Sequence, residues 1–378
     1  MNLIMNNTDI RFPNLGIVFE NLGNGISIGG FSLKYYGIII GIGMILAILL
    51  VEWMAKRTGQ NPDDYIDLAF FAIIIGIVGA RLYYVAFNFD NFKGNLLSIL
   101  NLRTGGLAIY GGAIFGVTTA YIYCKKKKMN LPLVFDTGIL GLLVGQIIGR
   151  WGNFFNREVF GCYTNSLFAM QIDVTDAPYD FQCSVADLQA RYVNQPQILS
   201  KIMEVRENAV VIDGATYLQV HPTFLYESFF NLLILIFLIL YTKHKKFNGE
   251  IFFGYGLFYG ALRFVLEGMR TDRLFIKGTP IAVSQLFSAI ICIASFIAIV
   301  AGRVRQAKKE FAASAQKVKE KLEAEESDEK AEEAAEKAEE AAEKEAESAE
   351  KEAESAEKVV EATEKVVEAT EKTGKSEE

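Results

Sequence analysis

The chain has 378 residues, 51% of them hydrophobic, with 38 basic residues against 45 acidic ones and a net charge of −7. An acidic balance leaves no basic footprint for nucleic acid. The apolar runs concentrate between residues 31 and 301 and the charge in 302–378, a segregation that excludes an ordinary soluble domain.

Residues 1–32 contain Gly, Asn and Pro with two short β-prone pieces, Ile17-Val18-Phe19 and Ile26-Ser27-Ile28, and are expected to form an amphipathic cover outside the membrane. The first apolar stretch has neither a basic leader nor a small-residue cleavage site, so no signal peptide is expected. Runs able to cross a hydrocarbon core of about 30 Å recur along the chain. They predict spans at Leu33–Trp53, Leu68–Phe87, Leu107–Cys124, Pro132–Ile148, Phe224–Tyr241, Ile251–Leu266 and Ile281–Ala301. Lys56 and Arg57, Lys125 to Lys128, Lys243, Lys245 and Lys246, and Arg303, Arg305, Lys308 and Lys309 follow alternate spans. Basic residues stay on the cytoplasmic side, which puts the N-terminus outside and the C-terminus in the cytoplasm. The expected fold class is therefore an all-α polytopic membrane protein with seven transmembrane helices over 33–301. It has a small extracytoplasmic head of α+β character at 161–220 and a charged cytoplasmic tail at 302–378.

Polar residues in and beside the spans mark candidate sites, because a charge at a helix centre costs about 2.5–3.5 kcal/mol on the insertion scale. In chain order the first is Tyr36, before Gly37, placed either in an interfacial belt or facing a cavity. Arg81 lies deep in the second run and is expected to face the bundle interior with a partner. Gly105-Gly106 and Gly111-Gly112 flank Tyr110 and suggest close helix packing. The densest stretch is Gly149 to Gly161. Gln146, Arg150 and Asn153 share a helical face there, while Gly149 and Gly152 remove bulk beside the guanidinium. His221 opens the fifth span, and Glu227, six residues on, needs a partner within the membrane. In the sixth span Tyr259, Arg263, Glu267 and Arg270 fall on one face. Arg150 and Arg263 reach the same side, and two guanidiniums at one level require an anion between them. Arg holds phosphate in a fork that Lys cannot match, and a phospholipid headgroup is the membrane's anion. Cys162 and Cys183 share the head segment and could pair in an oxidising compartment. The tail repeats Glu-Lys every seven residues from 329 to 371, but its apolar stripe is too weak for a coiled-coil seam, so a solvated helix or a disordered segment is expected.

These motifs resemble the prolipoprotein diacylglyceryl transferases of bacterial inner membranes, over roughly residues 15 to 300. The signature G-R-x-G-N-F-x-N-x-E-x-x-G is matched by Gly149, Arg150, Gly152, Asn153, Phe154, Asn156, Glu158 and Gly161. H-P-x-x-L-Y-E is matched by His221, Pro222, Leu225, Tyr226 and Glu227, and a late pattern by Tyr259, Arg263, Glu267 and Arg270. The resemblance implies transfer of diacylglyceryl from phosphatidylglycerol to the lipobox cysteine thiol of a preprolipoprotein, the first step of bacterial lipoprotein maturation, with glycerol phosphate leaving. It implies no metal or other cofactor, and membrane lipids as the chain's surroundings. It also implies functional roles for Tyr36, Arg150, Asn153, Glu158, Gly161, Arg263 and Glu267. Tyr259, Arg270 and Arg81 join the expected substrate-binding set. One departure is Tyr110, where many members carry a histidine. A tyrosine with a pKa near 10 is a poor base, so Tyr110 is expected to hydrogen-bond a headgroup oxygen. The thiol reacts as thiolate, and Glu158, Glu267 or His221 could take its proton. A transporter is the competing reading, disfavoured because the polar residues gather near one face and no internal repeat crosses the spans.

Overall fold

The computed structural model describes residues 2–4, 8–29, 31–101, 105–271, 273, 275, 276, 279 and 281–373. Residues 1, 5–7 and 30 of the expected N-terminal cover and 374–378 of the expected tail lie outside the described residues. The chain divides into two units, Met1–Val304 and Arg305–Glu378.

Five short strands open the first unit: β1 (Asn2–Ile4), β2 (Ile10–Phe12), β3 (Ile17–Phe19), β4 (Gly25–Ile28) and β5 (Phe31–Lys34). Helices α1 (Tyr35–Arg57), α2 (Pro62–Phe87), α3 (Ile109–Lys127) and α4 (Leu131–Asn156) follow. The turns into α2 and α4 are built alike. Asn61 caps α2 by accepting from the Asp63 amide, Asn130 caps α4 by accepting from the Leu133 amide, and a proline sits in each first turn. Both devices satisfy N–H groups that a starting helix leaves bare and let it begin abruptly. The chain then runs through β6 (Met170–Asp173), α5 (Tyr179–Gln182), α6 (Val185–Arg191), α7 (Pro196–Glu207), β7 (Val210–Ile212) and β8 (Ala215–Val220). It closes with α8 (Thr223–Tyr241), α9 (Glu250–Met269) and α10 (Val283–Thr373).

Helices α1, α2, α4, α8 and the Val283–Glu323 part of α10 are long and apolar enough to cross a membrane. The chain is thus a mainly helical, polytopic membrane protein. Helices α3 and α9 stand where spans were expected but outside that group of five. The first carries glycines and threonines, and the second carries tyrosines and the charges of Arg263 and Glu267. Helix α4 is the hub of the bundle, packed against α1, α8 and α9.

The all-α expectation is corrected by two antiparallel sheets, of order β1-β4-β5 and β3-β2-β6-β8-β7. The second joins two distant parts of the chain, because β2 pairs with β6 through Ile10 opposite Ile172 and Arg11 opposite Gln171. Its buried face carries Ile10, Phe12, Met170, Ile172, Leu218 and Val220, and helices α6 and α7 cover it with Leu188, Ile198, Ile202 and Val205. Phe154 and Phe224 belong to the same cluster and fasten it to α4 and α8. Each such side chain contributes about 1.5–3 kcal/mol when fully buried. The cap made of sheet and short helices therefore rests directly on the helix ends that carry the sequence motifs.

Candidate active site

Three backbone segments meet before any side chain is considered. The Gly161 amide donates to the His221 carbonyl at 2.9 Å, the His221 amide to Cys162 at 3.0 Å, and the Cys162 amide to Met269 at 2.8 Å. The end of the signature loop, the His-Pro entry to α8 and the C-terminus of α9 are thus laced together by main chain. Gly161 is glycine for a steric reason. A Cβ there would lie 2.7 Å from the His221 Cβ and 3.2 Å from the Met269 carbonyl. Upstream, Arg157 and Val159 both adopt positive φ, 52° and 60°. That conformation is strained for a β-branched residue. The loop holds it with Thr223 Oγ1 donating to the Val159 carbonyl and with a clamp on Arg157. The Arg157 guanidinium is buried against Asp176 at 2.9 Å and also donates to the carbonyls of Phe155, Thr8 and Leu22.

On this frame the charged residues form one chain of alternating sign. Arg150 Nη2 lies 2.7 Å from Glu227 Oε1, and Arg263 Nη1 lies 3.1 Å from Glu227 Oε2. Arg263 Nη2 lies 2.8 Å from Glu267 Oε2, with Arg270 Nε 4.0 Å from the same oxygen. The Tyr259 hydroxyl donates to Glu227 Oε1 at 3.3 Å. Glu227 and Glu267 are buried, 2% and 3% exposed, whereas the three arginines keep part of their surface open. The sequence argument required an anion between Arg150 and Arg263. The chain itself supplies one, in Glu227.

Asn153 and Asn156 both donate to Glu158 Oε1, at 3.0 and 3.1 Å, and Asn153 Oδ1 lies 3.5 Å from Arg150 Nη1. Gln146, one turn deeper on α4, donates to the Tyr255 hydroxyl at 2.9 Å, and the Tyr255 and Tyr259 rings stack 5.1 Å apart. Trp151 donates to Ser228 Oγ, which donates to the Ile147 carbonyl, and this bond pair fixes α4 against α8. The Tyr36 ring covers Gly152, where a Cβ would collide with it. His221 Nδ1 faces the Tyr226 hydroxyl at 3.3 Å. Burial, and then the Lys201 ammonium, push the His221 imidazole below its ordinary 6.5. That favours the neutral ring, the form able to accept a proton.

Ten of the expected site residues therefore converge: Tyr36, Arg150, Asn153, Glu158, Gly161, His221, Tyr259, Arg263, Glu267 and Arg270. Two do not. Arg81 is buried, but its five N–H groups go to the carbonyls of Ser98, Ile99, Asn101, Gly105 and Gly106, which leaves no donor for a headgroup. Tyr110 is 65% exposed in the first turn of α3, its ring 6.4 Å from that of Tyr83 on α2. Cys162 and Cys183 are free thiols. The sequence reading saw that Glu227 needs a partner within the membrane but assigned it no role in the site, and it did not single out Arg157. The signal for Glu227 was its place in the His-Pro motif on the same side as Arg263, and the missing information was how α8 and α9 rotate towards each other.

The chain matches the family model described as "Prolipoprotein diacylglyceryl transferase" over residues 24–301. It is 38% identical over 272 residues to the phosphatidylglycerol--prolipoprotein diacylglyceryl transferase of Finegoldia magna, a match covering 72% of this chain and 92% of that protein. Against the protein of the same name from Clostridioides difficile, identity is 37% over 269 residues, 71% of this chain and 90% of the relative. A relative from Clostridium botulinum strain Langeland is 36% identical over 263 residues, 70% and 90% of the two chains. With the signature, the His-Pro segment and the α9 charges all meeting inside the matched region, the chain belongs to the prolipoprotein diacylglyceryl transferase family.

Proposed function

We propose that the chain transfers the diacylglyceryl group of phosphatidylglycerol to the lipobox cysteine of a preprolipoprotein in the bacterial inner membrane. What carries the reading is the pairing of Arg150 with Arg263 at one end of the bundle, joined through Glu227. The family and the names of the relatives agree with it. In this reading α3 and α9 complete a set of seven spans, the N-terminus and the cap lie outside, and the tail is cytoplasmic. The support is the basic residues at alternate helix ends, together with the exposed apolar side chains of α3 and the packing of α9 against α4 and α8.

The reaction forms a bond from the cysteine sulfur to the glyceryl carbon and breaks the bond from that carbon to a phosphate oxygen. The electron pair leaves on the phosphate of glycerol phosphate, so cationic groups beside that phosphate lower the barrier. Arg150 binds the phosphodiester in its fork, with Arg263 and Arg270 supplying further positive charge. Glu158 takes the thiol proton. Of the three site carboxylates it alone is held by amides rather than guanidiniums, so its lone pairs are less committed. Tyr36 and Asn153 border the lipid beside Arg150.

The test uses purified full-length chain in phosphatidylglycerol vesicles with a synthetic lipobox peptide. Mass spectrometry should find one diacylglyceryl unit added to the peptide cysteine. Arg150→Ala should lower that rate about 100-fold or more, the size expected for removing a donor from the developing charge. A folded intact chain that leaves the peptide unmodified would move the transporter reading to first place.

A further inference from the structure

The cluster without substrate is already occupied at its centre. Three guanidiniums, Arg150, Arg263 and Arg270, alternate along one row with two buried carboxylates, Glu227 and Glu267. A phosphate gripped by the Arg150 fork takes two parallel N–H bonds, from Nη1 with Nη2 or from Nε with Nη2, and both pairs include Nη2. At present Nη2 holds Glu227 Oε1 at 2.7 Å, while Nη1 has only the long 3.5 Å contact to Asn153. The phosphate therefore competes with Glu227 for Nη2.

We propose that Glu227 is a positioning residue. Its carboxylate is a built-in stand-in for the lipid phosphate that holds Arg150 and Arg263 together, and it yields Arg150 to the phosphodiester when phosphatidylglycerol binds. The exchange is local. Glu227 Oε2 keeps Arg263 at 3.1 Å, and the Tyr259 hydroxyl, which already donates to Oε1 at 3.3 Å, stays on the oxygen that Arg150 releases. No buried charge is left bare, which avoids the penalty for an unpaired ion in a low-dielectric site. The reverse exchange has a use as well. Once glycerol phosphate forms, the returning carboxylate expels it. The inference rests on the transferase reading above.

The test compares Glu227→Gln and Glu227→Asp with the intact chain in phosphatidylglycerol vesicles. Loss of the competing charge should lower the KM for phosphatidylglycerol about tenfold in E227Q, and the carboxylate of E227D, which keeps the charge but sits one methylene further back, should lower it about threefold. Glycerol phosphate should inhibit at correspondingly lower concentration, and kcat should fall as product release slows. A carboxylate that merely staples the helices would reduce kcat or the folded yield without lowering KM. An unchanged or raised KM in a folded variant overturns the proposal, and should E227Q not fold, E227D decides by the same sign. Retention of phosphatidylglycerol on the purified protein, read by native mass spectrometry, should rise in the same order without any turnover. If the intact chain transfers nothing, the transferase reading falls while lipid retention still reports on Glu227.

Discussion

Arg263 contacts two carboxylates with its two Nη atoms, a geometry that a lysine ammonium cannot reproduce. At the same scale His221 sets a pH dependence. Burial and Lys201 lower its pKa in the folded chain, so the fold prefers the neutral ring. That contribution to stability is fully present above the ordinary value of 6.5 and is lost as pH falls through the lowered value. The unfolding midpoint of the intact chain should therefore fall more steeply below about pH 6.5 than that of His221→Gln, measured by thermal unfolding in detergent; parallel curves would remove this role. Single residues were only partly legible in the sequence. Arg150 and Arg263 could be placed at one level because each ends a span on the same side. Their bridging by Glu227 could not, because helix rotation is settled by contacts such as Trp151 on Ser228.

Elements show the same division. Long apolar runs announce helices because a membrane leaves the backbone little alternative. Strands of three or four residues such as β2 and β6 carry no comparable signal, since their partner lies some 160 positions away and register is fixed only on pairing. The α2–α3 connection is a case in between. The sequence shows that Arg81 needs a partner but not that its partners are five carbonyls of the following loop. Arg81→Lys offers three donors for five acceptors, so at least two carbonyls lose their bond, at about 1–3 kcal/mol each. The expected result is a lower unfolding midpoint and faster hydrogen exchange over residues 96–101 and 105–108, with the KM for phosphatidylglycerol within about twofold of the intact chain. A large KM change would return Arg81 to the binding site.

Across the whole chain, every residue of the proposed site lies in the unit Met1–Val304. The second unit carries helical pairs such as Glu340 with Lys344, Glu347 with Lys351 and Glu354 with Lys358, each at 2.7 Å. Exposed pairs of this kind contribute about 0.3–0.5 kcal/mol each and no chemistry. A chain ending at Lys309 keeps the Arg303–Glu250 ion pair and should transfer diacylglyceryl at a rate within about twofold of full length; a tenfold loss would assign the tail a role in turnover. The five-stranded sheet has a consequence for biogenesis. Strand β2 emerges from the ribosome early, yet its neighbour β6 follows only after α1 to α4 have been made, and β8 comes later still. The first hairpin must therefore wait, unpaired at one edge, while helices α1 to α4 are made. Such an edge is open to pairing with a neighbouring chain until β6 arrives. Synthesis thus carries a window of vulnerability in this hairpin, and it closes only when the chain beyond α4 has delivered β6.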